Sequence, residues 1–182
     1  MTVANLVTLL RVVLIPFFLV ALLYQDYKIA FFIFLFAGVS DALDGFIARF
    51  FKQKTQLGAI MDPIADKLML ATAYISLAVP QKGEGYIIPI WVAVLVLSRD
   101  VVIIIFVIIQ FLFFDAEIKH FMPSIWGKIT TTVQIFYAAG VLFFNAFSLP
   151  LALVNYLLWL VVAFTLISGF HYLWRTRKIE IQ

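Results

Sequence analysis

The chain has 182 residues, of which 65% are hydrophobic and only 13% are charged, and its mean hydropathy is +1.09. A water-soluble domain of this length needs a more highly charged surface, so the composition predicts a membrane protein. The net charge of +3 is small and the basic residues gather at the ends of apolar stretches, which argues against a nucleic-acid partner. The chain has no cysteine, which excludes disulfides and thiolate metal sites.

Six apolar stretches are each long enough to cross a bilayer, which takes about 20 residues of α-helix. In chain order they cover residues 6–24, 29–50, 57–79, 87–113, 125–144 and 149–173. Short polar breaks separate them, without internal repeats or low-complexity tracts. We therefore predict an all-α polytopic membrane protein, in which six transmembrane helices form one bundle and residues 1–182 form a single domain.

The lysines and arginines predict the orientation of the chain, because basic residues accumulate on the cytoplasmic side of a membrane. If the N-terminus is cytoplasmic, the outer side carries only Lys28 and Lys82. The inner side then carries Arg49, Lys52, Lys54, Lys119, Lys128, Arg175, Arg177 and Lys178. This asymmetry predicts that both termini are cytoplasmic.

Asp41, Asp44, Asp62 and Asp66 all lie inside the second and third predicted spans, where a carboxylate costs about 3 kcal/mol on insertion scales. Acidic residues in such positions usually face a cavity and have a function. Helical spacing places them on one face of each helix together with small residues. The second span presents Asp41, Asp44, Gly45 and Ala48, and the third presents Gly58, Asp62 and Asp66.

The short turn between these two spans makes them antiparallel neighbours, so both acidic faces lie at most about 12 Å from the cytoplasmic turn. Clustered carboxylates repel one another in a low-dielectric site, and Arg49 and Lys67 are too few to neutralise them and lie on other faces. Oxygen ligands with no His or Cys nearby favour Mg²⁺, Mn²⁺ or Ca²⁺. Four carboxylates can hold two such ions, an arrangement suited to phosphoryl displacement. The small residues either admit a bulky ligand or allow close helix packing.

The acidic faces resemble the signature of the CDP-alcohol phosphatidyltransferase family. The chain matches it without a gap or substitution, as Asp41-x2-Asp44-Gly45-x2-Ala48-Arg49-x8-Gly58-x3-Asp62-x3-Asp66. The N-terminal stretch is similar to the family's Asn-x-x-Thr-x-x-Arg segment, through Asn5, Thr8, Arg11 and Pro16. Together with the six-span layout, the resemblance covers essentially the whole chain.

The resemblance implies an integral membrane enzyme that transfers the phosphatidyl group of CDP-diacylglycerol to an alcohol and releases CMP. It implies a homodimer in a bacterial inner membrane, with the active site facing the cytoplasm. Mg²⁺ or Mn²⁺, as two ions, would be held by Asp41, Asp44, Asp62 and Asp66, and Asp66 would also be the catalytic base. The nucleotide would be held by Asn5, Thr8, Gly45, Ala48, Arg49 and Gly58.

Family members differ in the acceptor alcohol, and a phosphorylated acceptor needs fixed cations. Arg99 and Lys128 are the candidates for binding its phosphate. The alternatives are that Arg99 pairs with Asp100 or with an aspartate of the site, and that Lys128 extends to the membrane surface. The segments 98–100 and 127–131 resemble the glycerol branch of the family, which contains phosphatidylglycerophosphate synthases and cardiolipin synthases.

Two acceptors therefore stay open, glycerol 3-phosphate and phosphatidylglycerol. Bacterial phosphatidylglycerophosphate synthases usually have Arg-Glu where this chain has Arg99-Asp100, a second arginine where it is apolar, and Lys where it has Thr130. These departures favour phosphatidylglycerol. The size of the chain and the segment 167–169 favour glycerol 3-phosphate, which is the acceptor we predict.

An ion-coupled transporter is the alternative outside the enzymes, since carboxylates inside the membrane also mark ion pathways. Such a pathway needs polar residues across the whole bilayer. The outer halves of the spans are instead almost wholly apolar, as in residues 31–36, 68–77 and 102–109. The sequence therefore favours the enzyme.

Overall fold

The computed structural model describes residues 3–50, 56–79, 86–113, 125–150 and 152–177, and the side chains of 8–41, 64–79, 86–105, 125–150 and 153–171. The regular structure in these ranges is entirely helical, which confirms the all-α prediction for them. The helices are α1 (Val3–Leu23), α2 (Tyr27–Phe50), α3 (Gln56–Ala78), α4 (Ile90–Phe113), α5 (Ile125–Ala146) and α6 (Ala152–Arg177). Each end lies within four residues of the predicted bound.

Prolines explain two of the three helix starts that differ by three residues from the prediction, those of α4 and α6. The fourth helix was expected from residue 87 but begins at Ile90, directly after Pro89. Proline has no N–H to donate and its fixed φ suits the first turn of a helix. The Pro89 carbonyl accepts the first helical hydrogen bond from Val92 N at 2.9 Å. The sixth helix likewise begins at Ala152, shortly after Pro150.

Large apolar side chains cover much of the described surface. Phe17, Phe36 and Phe170 are 61%, 56% and 71% exposed, a degree of apolar exposure that suits lipid rather than water. Among the described residues, the helices Ile125–Ala146 and Leu153–His171 are long and apolar enough to cross a membrane, and Thr8–Leu23 is a shorter apolar helix. The described surface therefore agrees with the predicted membrane environment.

The chain divides into two compact units, of which the first comprises Met1–Ile88 and Ala138–Leu151. In this unit α1 packs against both α2 and α3. The buried stripe of α2 consists of Ala30, Phe34 and Ala37, at intervals of three and four residues. Asp41 continues the same stripe one turn later, as helical periodicity requires.

A tight turn joins α1 to α2. Gln25 adopts a left-handed conformation with φ of 59°, and Asp26 N donates to Ala21 O at 2.9 Å, which closes the end of α1. Asp26 Oδ1 then accepts Ile29 N at 3.1 Å and caps the start of α2. The turn reverses the chain within three residues and so makes α1 and α2 antiparallel.

The second unit comprises Pro89–Tyr137 and Ala152–Gln182, and in it α4 packs against α6. The buried stripe of α6 begins with apolar residues, from Val154 to Val161, and continues as Thr165 and Ser168. The stripe of α4 likewise changes from Val96 to Asp100. Polar side chains are thus buried near the middle of α4 and in the C-terminal half of α6.

Candidate active site

A buried arginine of α1 joins two of the predicted metal ligands. Arg11 Nη2 donates to Asp41 Oδ1 on α2 at 2.5 Å, and Arg11 Nη1 donates to Asp66 Oδ1 on α3. The arginine side chain is 4% exposed, whereas Asp41 and Asp66 are 43% and 41% exposed. One guanidinium therefore fixes carboxylates from two helices, while both carboxylates stay accessible.

Helix lengths explain why these three residues meet. Arg11 lies eight residues after the start of α1, Asp41 nine before the end of α2 and Asp66 ten after the start of α3. At 1.5 Å per residue, these positions are about 12, 14 and 15 Å from the corresponding helix ends. Successive antiparallel helices therefore bring all three side chains to one level.

The charge balance at this level differs from the prediction. Arg49 and Lys67 were the expected nearby cations, whereas in the structure Arg11 neutralises one of the two described carboxylates. Lys67 is half-buried and has an interaction of its own, and the Arg49 side chain lies outside the described part. The trio of Arg11, Asp41 and Asp66 carries a formal charge of −1, which leaves negative charge for a cationic ligand.

Arg99, the other nearly buried arginine among the described side chains, belongs to the second unit. Its Nη1 donates to Asp100 Oδ1 at 2.7 Å and its Nη2 donates to Ser168 Oγ on α6. The Arg99 and Asp100 side chains are 10% and 12% exposed. The structure thus contains the local pair with Asp100 that the sequence analysis considered for Arg99. Lys128, the second acceptor candidate, is exposed near the start of α5.

The comparison with known proteins decides the family. The CDP-alcohol phosphatidyltransferase family matches residues 1–167 of the chain. The chain belongs to this family.

Named relatives of this phosphatidyltransferase fall into two groups. A CDP-diacylglycerol–glycerol-3-phosphate 3-phosphatidyltransferase of Haemophilus influenzae is 35% identical over 170 residues, 91% of this chain and 88% of the relative. A protein of the same name from Yersinia enterocolitica is 33% identical over 180 residues, 91% of this chain and 90% of the relative. A cardiolipin synthase (CMP-forming) of Rattus norvegicus is 32% identical over 178 residues, 90% of this chain. The chain spans 57% of that longer relative.

Several predicted site residues of this phosphatidyltransferase lie where side chains are not described. They are Asn5 on α1, Asp44, Gly45, Ala48 and Arg49 on α2, and Gly58 and Asp62 on α3. Among the described side chains, no three His, Asp or Glu form a group that could hold a metal ion. Thr8 is described: it is buried one turn before Arg11 on the same face of α1, and it makes an interaction of its own.

Thr130 occupies a position where phosphatidylglycerophosphate synthases of this family usually have lysine. Its buried hydroxyl lies 2.8 Å from Trp126 O and 3.0 Å from Phe164 O, so it can donate to either carbonyl. One turn further on, Gln134 Nε2 donates to Thr165 Oγ1 at 3.3 Å. In this family member, neutral hydrogen bonds join α5 to α6 at that level.

Arg11 was predicted only as part of a motif, and its contacts with Asp41 and Asp66 were not predicted. A signal was present, since Arg11 is the only charged residue in the first predicted span. A cation inside the membrane needs a counter-charge, and the helix register placed Asp41 and Asp66 at its level. No comparable signal in the sequence pointed to Ser168 as a partner of Arg99. Ser168 lies 69 residues away, and nothing in the sequence distinguishes its hydroxyl from those of other serines and threonines.

Proposed function

We propose that this chain transfers the phosphatidyl group of CDP-diacylglycerol to glycerol 3-phosphate, releasing CMP and forming phosphatidylglycerophosphate. The observation that carries the proposal is the meeting of Asp41 and Asp66 at one level of the first unit, within a signature that matches without a gap. The relatives named for this reaction support the acceptor, because they align over nearly their whole length, 88% and 90%.

Divalent metal, as Mg²⁺ or Mn²⁺ and with two ions, fits the donor set of this site. Asp41 and Asp66 offer hard oxygen ligands that are about 40% exposed, and their trio with Arg11 keeps a formal charge of −1. Asp44 and Asp62 belong to the same helical faces and would complete the set. When bound, such metal would neutralise the pyrophosphate of CDP-diacylglycerol and stabilise the departing CMP.

Asp66 acts as the general base in the proposed reaction. Its carboxylate accepts the proton of the acceptor hydroxyl while that oxygen bonds to the phosphorus next to diacylglycerol. The bond from this phosphorus to the oxygen of CMP breaks on the opposite side, and CMP leaves with the bonding electrons. The exposed fraction of Asp66, 41%, makes the carboxylate accessible to an acceptor.

Residues around the aspartates hold the cytidine nucleotide in this proposal: Asn5, Thr8, Gly45, Ala48, Arg49 and Gly58. The glycines and the alanine allow a ligand to approach the helix backbone closely, as small residues do. Arg99 and Lys128 are proposed to bind the acceptor phosphate. For Arg99 this requires the phosphate to share or replace the contact with Asp100.

A cardiolipin synthase that uses phosphatidylglycerol is the second candidate. Two observations favour it: Asp100 already neutralises Arg99, and Thr130 forms hydrogen bonds where a lysine is usual. Both reduce the positive charge available to a phosphate dianion, whereas phosphatidylglycerol brings only a phosphodiester. The aligned rat enzyme carries the name of this activity.

We also propose the setting in which the reaction takes place. All six helices cross the membrane as a single domain of residues 1–182, and both termini are cytoplasmic, because the basic residues are concentrated on that side. The enzyme is a homodimer of a bacterial inner membrane with a cytoplasmic active site. Cysteine residues introduced into a chain that has none, at Lys28 and at Arg175, test the orientation by labelling with an impermeant reagent.

One reconstitution experiment tests the function. The purified chain in detergent receives CDP-diacylglycerol, Mg²⁺ or Mn²⁺, and either glycerol 3-phosphate or phosphatidylglycerol, and CMP and the lipid product are measured. Turnover with glycerol 3-phosphate supports the proposal, and turnover with phosphatidylglycerol alone supports cardiolipin synthase. Asp66→Asn serves as the inactive variant. Asp26→Asn is its matched control, because Asp26 caps α2 and asparagine also caps helices.

A further inference from the structure

The feature that carries a further inference is the asymmetric burial of the trio Arg11, Asp41 and Asp66. A guanidinium that is 4% exposed has lost its hydration and needs a counter-charge. Asp41 and Asp66 supply it, and in the described part of the chain the buried Nε of Arg11 has no hydrogen-bond partner. The carboxylates are about ten times more exposed than the cation. Arg11 thus contacts the acids from the buried interior, while the carboxylates keep exposed surface.

Both carboxylates stay partly exposed while Arg11 contacts them. Arg11 engages one oxygen of each carboxylate, Oδ1 of Asp41 and Oδ1 of Asp66, through two different nitrogens. The guanidinium is planar and rigid, so its two Nη atoms fix the separation and direction of the carboxylates they bind. Lysine has the same charge but a single nitrogen on a flexible stem, and it lacks this fork.

We propose that Arg11 is a positioning residue that holds Asp41 and Asp66 in the geometry that binds divalent metal, and that it keeps both contacts when metal is bound. The inference rests on the metal site of the proposed function. In other metal sites, hydrogen-bond partners outside the coordination sphere hold the ligands in place, and losing such a partner typically weakens metal affinity by about 10 to 100-fold. Arg11 would hold the two carboxylates in the same way.

The alternative is competition, in which metal displaces Arg11 from the same oxygens. If metal and Arg11 compete, weakening the contacts of residue 11 should tighten metal binding. If Arg11 positions the carboxylates, weakening these contacts should weaken metal binding. Arg11→Lys separates the two, because it retains the positive charge and removes only the fork. A change in affinity in this variant therefore reports geometry rather than lost charge.

Binding of Mn²⁺ to the full chain in detergent provides the test, with the signal of unbound Mn²⁺ followed by electron paramagnetic resonance. We expect Arg11→Lys to weaken Mn²⁺ binding by about tenfold or more. Arg99→Lys is the matched control, since it alters the other buried arginine, which pairs with Asp100 and Ser168 in the second unit. This control is expected to lower the thermal stability of the protein and to leave Mn²⁺ affinity unchanged.

Each other outcome overturns a defined part of the argument. If Arg11→Lys leaves Mn²⁺ affinity unchanged, Arg11 only stabilises the fold and the proposal is wrong. If Arg11→Lys binds Mn²⁺ more tightly, metal and Arg11 compete for the same oxygens. If the unmodified chain binds no Mn²⁺, the metal site of the proposed function fails along with the inference. If it binds Mn²⁺ in a manner that Asp41→Asn and Asp66→Asn abolish, the metal site stands whatever Arg11→Lys shows.

A measurement on the unmodified chain covers the case in which Arg11→Lys does not fold. In protein labelled with ¹⁵N-arginine, the side-chain N–H groups of Arg11 and Arg99 should exchange slowly with water, and Arg99→Lys identifies the signals of Arg99. Positioning predicts that the Arg11 signals stay protected from exchange when Mg²⁺ is added. Loss of their protection on adding Mg²⁺ shows release of the guanidinium and overturns the proposal.

Discussion

Among the described side chains, each unit buries one arginine beside aspartate, but the two arrangements differ in range and in charge. Arg11 pairs with acids 30 and 55 residues away and so connects three helices. Arg99 pairs with the adjacent residue, Asp100, and with the hydroxyl of Ser168, and so connects α4 to α6. The first arrangement has a formal charge of −1 and the second has none.

The two arrangements differ in the charge of the ligand that each can bind. Among the described side chains, the first unit has two accessible carboxylates beside one buried cation, so this trio carries excess negative charge for a divalent metal. In the second unit the side chains of Arg99 and Asp100 are nearly buried and pair with each other. An anionic ligand there must compete with Asp100, whereas a cationic ligand at Asp41 and Asp66 adds to a site with excess negative charge.

The largest effect should come from removing a carboxylate in the first unit and should have no counterpart in the second. Asp66→Asn removes the proposed base, and CMP release from CDP-diacylglycerol should fall by about 10² to 10⁴-fold. Asp100→Asn should keep measurable turnover, since Asp100 neutralises Arg99 and takes no proton. Equal losses in the two variants would contradict this assignment of roles.

The next largest effect concerns stability and should be greater in the second unit. Arg99→Met leaves the Asp100 carboxylate, 12% exposed, without its cation, which should lower the free energy of unfolding by about 3 kcal/mol. Asp41→Asn should cost less, because Asp41 is 43% exposed and Arg11 retains Asp66. Thermal unfolding in detergent, followed by tryptophan fluorescence, measures both. A larger loss in Asp41→Asn would reverse the ranking.

A smaller effect would show whether Arg99 binds the acceptor. Asp100→Asn retains an oxygen acceptor for Arg99 and removes the competing charge. If Arg99 binds the phosphate of glycerol 3-phosphate, the KM for this substrate should fall by about fivefold, which corresponds to roughly 1 kcal/mol. The KM for CDP-diacylglycerol serves as the internal reference and should stay unchanged. An unchanged KM for glycerol 3-phosphate would remove Arg99 from the acceptor site.

The smallest effect is expected for the neutral hydrogen bonds of the second unit. Thr130→Val keeps the volume of the side chain and removes the hydroxyl that lies between Trp126 O and Phe164 O. The free energy of unfolding should fall by about 1 kcal/mol, the usual value for one buried hydrogen bond. Thr132→Val is the control, because Thr132 is exposed and bonds only within α5, to Lys128 O. A similar loss in both variants would show that the contact with α6 contributes little.

The sequence by itself determined the helices and the family. Apolar stretches long enough to span a membrane predicted all six helices, because burial in lipid or in a helical core requires continuous apolar residues with satisfied backbone groups. Proline shifted two starts, at Ile90 and Ala152, by three residues. Helical spacing also placed Asp41 and Asp66 on inward faces, since the period of 3.6 residues is a local property.

Tertiary packing alone decided which charges meet. Arg11 stands out as the only charged residue of its predicted span, but nothing local identifies its partners, which lie 30 and 55 residues away on two other helices. Their meeting depends on the turn at Gln25, which reverses α1 into α2, and on the packing of α1 against both α2 and α3. Arg99 had a neighbouring acid in the sequence, so its pair was foreseeable, but its bond to Ser168 depends on α6 lying beside α4. Pairing across helices is set by packing, because a side chain's energy depends on what surrounds it in space.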